Sequence, residues 1–203
     1  MAIEAVIFDW GGVLIDDIEP ALISYWSTHL KASPEAVRRT RLQHSPDYQK
    51  GVISEAVYWE MVCSALGVPI PAVPSLHGEA FQAAYSPKRA MFSLAARLQG
   101  NGYKTGLLSN AELLAMEFFQ QQSYRMFDVA VFSCVERLLK PEREIYVRTC
   151  ERLGVPPEKA FFLDDRTEYV TGAQKAGLRA AQFQSYTQIT QELEKAGIPE
   201  FLL

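Results

Sequence analysis

Short apolar runs alternate with longer segments of helical periodicity over most of this chain, and the alternation limits the possible folds more than any other feature. The apolar runs cover residues 5–8, 105–108, 129–132, 160–163 and 180–183. Runs that are apolar on both faces are typical of parallel strands covered by helices on each side. We therefore predict an α/β fold built on a doubly wound, Rossmann-like parallel sheet.

Glycine follows four of the five helical segments predicted between these strands. The segments are residues 88–99, 112–122, 142–153, 167–176 and 187–196. Glycine often ends a helix in the left-handed conformation, which its missing Cβ atom makes accessible. Four glycines are predicted C-cap residues on this ground: Gly100, Gly154, Gly177 and Gly197.

The segment from about residue 18 to residue 85 interrupts the alternation, because it contains helical patterns and no strand pattern. Ser33, which precedes a proline, and Ser54 are typical N-cap residues. Apolar residues of the helix after Ser54 are expected to fall near one face: Val57, Met61 and Leu66.

A helical insertion after the first strand is the simplest account of this segment. We predict a core domain of residues 1–16 and 87–203 and a small all-helical cap domain of residues 17–86.

Chemically reactive side chains follow several of the predicted strands. Asp9 comes after the first strand, Ser109 and Asn110 after the second, and Asp164 and Asp165 after the fourth. Lys140 lies where a loop leads from the third strand into the next helix. Ligands of open parallel sheets gather at the carboxyl ends of the strands, so we expect these residues to converge.

This combination of residues favours a metal ion and a phosphoryl group. Asp9, Asp164 and Asp165 would repel one another unless a cation lay between them, and carboxylate oxygens suit Mg²⁺. Lys140 could neutralise phosphoryl oxygens while Ser109 donates hydrogen bonds. An ionised Asp9 could attack the phosphorus atom and form an aspartyl-phosphate that water hydrolyses.

Composition argues against several other classes of function. The net charge is −4 and the basic residues are dispersed, so no nucleic-acid partner is expected. No run approaches the roughly 20 apolar residues of a membrane span. Three well-separated cysteines predict neither a disulfide framework nor a zinc site, and a cytoplasmic location is expected. The apolar end of the chain, residues 198–203, could pack on the core or against a second copy in a homodimer.

Four short motifs occur in an order and spacing that resemble those of haloacid dehalogenase-like hydrolases, in the subgroup with a helical cap inserted soon after the first motif. The motifs are Val6-Ile7-Phe8-Asp9-Trp10-Gly11-Gly12-Val13, Leu107-Leu108-Ser109-Asn110, Lys140-Pro141 and Phe162-Leu163-Asp164-Asp165, the last followed by Gly172-Ala173. The resemblance covers nearly the whole chain and implies hydrolysis of a small phosphorylated metabolite.

The resemblance also implies a role for each motif residue. Asp9 is the expected nucleophile, and Lys140 is expected to assist catalysis. The expected phosphate contacts come from Ser109, Asn110, Lys140 and Gly12. Magnesium is expected on Asp9, the backbone carbonyl of Gly11, Asp165 and Asp164, with Asp165 preferred as the direct ligand of the last pair.

Gly11 departs from the pattern of phosphatases in this superfamily, which usually carry a second aspartate there as general acid and base. The expected substrate therefore has a good leaving group, as in a sugar 1-phosphate or an acyl phosphate, or else the proton comes from the substrate, from water or from the cap. Asp16 and Asp17 near the cap hinge are candidates for that donor. Three alternative hypotheses about function remain: a metal-independent 2-haloacid dehalogenase, a non-catalytic protein that binds phosphorylated ligands, and a structural domain.

Several other residues are expected to lie on the surface or to serve packing rather than chemistry. They are the three histidines, His29, His44 and His77, and four aromatic residues, Trp10, Tyr25, Trp26 and Tyr48.

Overall fold

The computed structural model describes residues 2–202 and contains a five-stranded parallel sheet. The strands are β1 (Ala5–Phe8), β2 (Lys104–Ser109), β3 (Val129–Phe132), β4 (Ala160–Asp164) and β5 (Arg179–Gln182). Their order across the sheet is β3-β2-β1-β4-β5, and every neighbouring pair is parallel. The predicted α/β fold with a doubly wound parallel sheet is therefore confirmed.

Within residues 2–202, ten α-helices flank the sheet or extend from it. Those between β1 and β2 are α1 (Glu19–Leu30), α2 (Pro34–Gln49), α3 (Glu55–Leu66), α4 (Leu76–Ala84) and α5 (Arg89–Gly100). Those that follow are α6 (Leu113–Gln121), α7 (Ser133–Glu136), α8 (Arg143–Leu153), α9 (Thr167–Lys175) and α10 (Tyr186–Lys195).

Alternate residues of each strand serve the two faces of the sheet, which explains why the strands are apolar throughout. Ile7, Leu108 and Phe162 pack in a cluster with residues of α8 and α9. Phe8 and Leu163, one position further along their strands, belong to a second cluster with residues of α5, α6 and α10. The sheet is thus buried on both sides, as parallel sheets generally are.

Helices α1–α4 join the rest of the chain through two adjacent extended segments. Ile15 and Pro87 form an antiparallel bridge, and the Asp16 N–H donates to the Ser86 carbonyl over 2.9 Å. Two of the four helices begin as predicted, since Ser33 and Ser54 accept hydrogen bonds from backbone N–H groups in the first turn. We refer to α1–α4 below as the helical insertion.

One local prediction was wrong. Gly100 is the last residue of α5, and the positive φ of 89° falls at Gly102 instead, because the chain continues two residues further before it turns. Val57 and Met61 do not face a core, as they are 40% and 39% exposed. The buried face of α3 is formed by its aromatic and small residues, namely Tyr58, Trp59, Val62 and Cys63.

The C-terminal end packs on the core only in part. Ile198 and Leu202 are buried, whereas Phe201 is 81% exposed. Leu203, the last residue of the predicted apolar end, lies outside the described residues. Within residues 2–202, none of the helices has both the length and the apolar character required to cross a membrane.

Candidate functional site

The ends of the three central strands bring the predicted site residues to one edge of the sheet. Asp9 directly follows β1, while Ser109 and Asp164 end the neighbouring strands β2 and β4. Phe8 pairs in register with Leu107 on one side and with Leu163 on the other. The residues that follow therefore emerge at nearly the same level, which is where α/β proteins bind their ligands.

Lys140 lies between two of these carboxylates. Its Nζ atom is 2.8 Å from Oδ1 of Asp9 and 2.6 Å from Oδ2 of Asp164. The residue is 2% exposed, and burial alone would lower the pKa of its ammonium group, but Asp164 and Asp9 raise the pKa above its ordinary value. Lys140 thus carries a fixed positive charge next to the predicted nucleophile.

Asn110 holds the backbone of Lys140. Its Oδ1 accepts the Lys140 N–H at 2.9 Å, and its Nδ2 donates to the Lys140 carbonyl at 3.0 Å. The predicted contact of Asn110 with phosphate stays a prediction, and its observed contacts position the lysine.

Three carboxylates form a group that could hold a metal ion. One oxygen from each of Asp9, Asp164 and Asp165 lies within 4.8 Å of the others. Burial and the charge of Asp164 raise the pKa of Asp9 to about 7, although Lys140 opposes the shift. One ammonium group does not balance three crowded carboxylates, and a divalent cation with oxygen ligands fits this charge deficit.

The two consecutive aspartates differ in how many of their carboxylate oxygens already accept hydrogen bonds within the protein. Asp164 is fully buried, with Oδ1 accepting the Arg166 N–H at 2.9 Å and Oδ2 accepting from Lys140. Asp165 lines a cavity in front of the sheet, and burial together with Asp164 raises the pKa of its carboxyl group. This difference supports Asp165 as a direct metal ligand and Asp164 as the group that fixes Lys140.

Gly11 and Gly12 have different surroundings. Gly12 has a φ of 78°, and a Cβ atom there would lie 2.4 Å from Cγ of Asp165, so only glycine allows the loop to approach this closely. Gly11 lines the cavity, and a Cβ atom there would have no atom within 4 Å. A larger side chain would therefore fit at position 11 but not at position 12.

The cavity in front of the carboxylates has a volume of about 270 Å³. Of the predicted site residues, it is lined by Asp9, Gly11, Ser109, Asn110, Lys140 and Asp165, whereas Gly12 and Asp164 lie behind this wall. The helical insertion supplies much of the opposite wall, including Leu22, Leu42, Pro46 and Phe81.

The profile of a family described as haloacid dehalogenase-like hydrolase matches residues 3–177. The chain belongs to this family. The fold, the motif order and the residues gathered at the strand ends agree with that membership.

Two curated relatives share about a quarter of their aligned residues with this hydrolase. Acyl-CoA dehydrogenase family member 10 of Mus musculus is 26% identical over 202 residues, which cover 94% of this chain and 19% of that protein. The sesquiterpene phosphatase astK of Aspergillus oryzae is 23% identical over 179 residues, or 86% of this chain and 87% of the relative. The chain thus spans about a fifth of the length of the first relative and most of the second.

Solved structures of haloacid dehalogenase-like enzymes share the fold. An enzyme of Bacteroides thetaiotaomicron, bt-2542, crystallised with magnesium and inorganic phosphate, has a TM-score of 0.74 at 21% identity, covering 93% of this chain and 99% of its own. The L-2-haloacid dehalogenase of Xanthobacter autotrophicus, with chloropropionic acid covalently bound, has a TM-score of 0.65 at 22% identity, covering 98% and 86%.

No sequence pattern indicated a buried contact that links this hydrolase's core to its helical insertion. Glu112 accepts a hydrogen bond from Nε2 of Gln49 at 3.2 Å, and its other oxygen lies 3.2 Å from Nε2 of His77. Burial would raise the pKa of Glu112, but His77 and Arg41 lower it to about 2. His77 is 1% exposed, as expected of a packing residue, and its Nε2 atom also contacts Glu112.

Proximity in the sequence could have indicated Glu112, which closely follows Ser109 and Asn110 in the same strand-end loop. Its partners Gln49 and His77 lie on α2 and α4, and only the tertiary fold brings them to it.

Proposed function

We propose that this hydrolase is a magnesium-dependent phosphatase that acts on a small phosphorylated metabolite through an aspartyl-phosphate intermediate. The observation that carries the proposal is Lys140, whose Nζ atom lies 2.8 Å from Asp9 and 2.6 Å from Asp164, with Asp165 in the same carboxylate group. A site for a carboxylate nucleophile, a metal ion and a phosphoryl group requires this combination of charges.

In this mechanism Asp9 attacks the phosphorus atom in line, and the bond from phosphorus to the leaving oxygen breaks. The ammonium group of Lys140 and the hydroxyl group of Ser109 hold the phosphoryl oxygens. Asp9, Asp165 and the carbonyl group of Gly11 would hold Mg²⁺, which would neutralise negative charge on the transferring group. Water then attacks the phosphorus atom of the aspartyl-phosphate, releases phosphate and restores Asp9.

Two of the similar proteins support this proposal. The Aspergillus relative is named as a phosphatase, and the Bacteroides enzyme was crystallised with magnesium and inorganic phosphate. Both cover most of this chain, so their chemistry is a reasonable source for a hypothesis about it.

Gly11 limits the substrates that this mechanism serves well. General acid catalysis is worth roughly a hundredfold to ten-thousandfold, and position 11 supplies no acid. Sugar 1-phosphates and acyl phosphates have leaving groups that depart more easily, so we propose substrates of that kind.

The helical insertion is proposed to act as the cap domain, residues 17–86. It contributes to the cavity wall opposite Asp9, and its movement against the core would admit substrate and then exclude water.

A second candidate function is 2-haloacid dehalogenation, and Gly11 is the observation that favours it. A halide ion leaves without a proton, so the missing acid is no obstacle, and a haloacid dehalogenase shares the fold. The Asp164–Asp165 pair argues for the phosphatase, because attack on a carbon–halogen bond needs no metal ion.

Steady-state assays separate these functions. Para-nitrophenyl phosphate, sugar 1-phosphates and 2-chloropropionate should be assayed with and without Mg²⁺, comparing the wild type with Asp9→Asn. Magnesium-dependent release of phosphate that the substitution abolishes is the expected result. Chloride release that is independent of Mg²⁺, with no phosphate release, would replace the proposal by the second candidate.

A further inference from the structure

Three arginine side chains gather around one carboxylate at the border between the helical insertion and the core. Nη1 of Arg41 lies 3.4 Å and Nε of Arg38 lies 3.9 Å from Oε1 of Glu19, while Nη2 of Arg166 lies 3.4 Å from Oε2. Glu19 alone does not balance three guanidinium groups, and the other acids that interact with them are Asp165 and Asp9 for Arg166 and Glu112 for Arg41.

Two of these arginines face the space in which a substrate would bind. Arg41, Arg166 and Glu19 line the same cavity as Asp9, whereas Arg38 is not part of the lining. The side chain of Arg41 is only 13% exposed and that of Arg166 is 51% exposed. The cavity therefore has one arginine deep in its insertion wall and another at its core rim.

Aromatic rings orient both guanidinium groups. The Arg41 group lies 5.6 Å from the ring centroid of Trp26, and the Arg166 group lies 5.7 Å from that of Tyr169. A planar guanidinium that is held in this way keeps its donors pre-organised for a carboxylate or a phosphate. Asp17, another acid of the cavity wall, instead accepts the Glu19 backbone N–H at 3.0 Å.

We propose that Arg41 and Arg166 form a second anion site, so that the preferred substrate carries a second negatively charged group besides the phosphoryl group transferred to Asp9. This inference rests on the proposed phosphatase function. The second group, a carboxylate or another phosphate, competes with Glu19 for hydrogen bonds from the two guanidinium groups. Its binding also joins the helical insertion to the core, because each side contributes one arginine.

The test compares substrates that share a leaving group and differ only in the second charge. They are 4-(ω-carboxyalkyl)phenyl phosphates with one to three carbons between the ring and the carboxylate, their methyl esters, and the corresponding bisphosphates in which an alkyl phosphate replaces the carboxylate, so that the leaving group is a phenol, which departs more easily than an alcohol. Wild-type protein with Mg²⁺ is expected to show a kcat/KM at least about tenfold higher for a charged substrate than for its ester. Comparison of the carboxylates with the bisphosphates shows which anion is recognised.

Substitutions then assign this preference to residues. Arg41→Gln and Arg166→Gln are each expected to bring the ratio of kcat/KM for the charged substrate to kcat/KM for its neutral ester towards one. Arg38→Gln is the matched control, because it removes the same charge from the same carboxylate outside the cavity, and it should leave the ratio unchanged. Arg166 is half exposed on the core side, so its variant remains informative if Arg41→Gln does not fold.

Two results would overturn the anion site while leaving the phosphatase proposal intact: equal kcat/KM for every charged and neutral pair, or an equal loss of preference in Arg38→Gln. If the wild type hydrolyses none of these phosphates, nor para-nitrophenyl phosphate, sugar 1-phosphates or acetyl phosphate, the phosphatase proposal fails, and calorimetry with Mg²⁺ decides the anion site separately. Tighter binding of 3-phosphonopropanoate than of its methyl ester, lost in Arg166→Gln, would support the site, and equal binding would refute it.

Discussion

The side chain of Asn110 pairs with the backbone of Lys140 in both directions, accepting its N–H at 2.9 Å and donating to its carbonyl at 3.0 Å. This pairing fixes the start of a lysine side chain whose other end lies between Asp9 and Asp164. A residue of the second motif thereby positions a residue of the third.

Replacing Asn110 should disturb this alignment. We expect Asn110→Ala to lower kcat by about a hundredfold, because displacement of a catalytic group by about 1 Å can cost that much. Phosphate-release kinetics measure the effect. Asn101→Ala is the control, as Asn101 also bonds a backbone carbonyl, that of Arg97, but lies just after α5, at the opposite end of β2 from Asn110. Equal losses in both variants would contradict the positioning role.

Gly12→Ala is expected to displace Asp165, because the new Cβ atom would lie 2.4 Å from its Cγ atom. Magnesium affinity and turnover should both fall, as titrations of activity with Mg²⁺ would show. Gly67→Ala provides the control, because Gly67 has a similar φ of 67° but open space around it. The control should cost about 1 kcal/mol of stability from backbone strain and leave the Mg²⁺ titration unchanged. An unchanged titration for Gly12→Ala would refute the prediction.

Gly11→Asp should add the missing general acid, since nothing lies within 4 Å of a Cβ atom built at this position. Hydrolysis of alkyl phosphates, which are poor substrates without an acid, is expected to rise about tenfold or more relative to para-nitrophenyl phosphate. Gly11→Asn has the same shape without an acid, so it should not change the ratio of the two rates. The same gain in both variants would show that the effect is not acid catalysis.

Glu112→Gln should destabilise the fold, because the substitution removes a buried carboxylate whose ionised form His77 and Arg41 stabilise. The expected loss is about 3 kcal/mol near neutral pH, measured by chemical denaturation. Glu117→Gln, which alters an exposed residue of α6, the helix that Glu112 precedes, should change stability little.

This loss should depend on pH with a defined sign. The pKa of Glu112 is about 2 in the fold and ordinarily about 4.5, so its ionised form stabilises the fold above the higher value. The difference between wild type and Glu112→Gln should shrink as the pH falls from about 4.5 towards 2. A difference that stays constant over this range would contradict the pairing.

The sheet was predictable because its strands are apolar on both faces and residues 5–8, 129–132 and 160–163 form unbroken runs. The residues at the strand ends were predictable for the same reason, since topology alone brings Asp9, Ser109 and Asp164 together. Strand patterns and sheet topology are thus enough to predict the site residues that the core contributes.

The wall built by the helical insertion could not be predicted in the same way. Arg41 and His77 reach the cavity because of how α1–α4 pack together. The residues around them in the sequence form helices without any motif that marks a binding site. The exposed Val57 and Met61 show the same limitation, since short amphipathic helices do not reveal which face their neighbours cover.

The most direct test of the central claim is to trap the covalent intermediate on Asp9. Protein with Mg²⁺ would be mixed with ³²P-labelled acetyl phosphate, quenched in acid within milliseconds and digested, and the labelled peptide would be identified. We predict a hydroxylamine-sensitive label on the peptide that contains Asp9, absent without Mg²⁺ and absent in Asp9→Asn. Turnover of the phosphate without any labelled peptide, or a label that persists in Asp9→Asn, would contradict the assignment of Asp9 as the nucleophile.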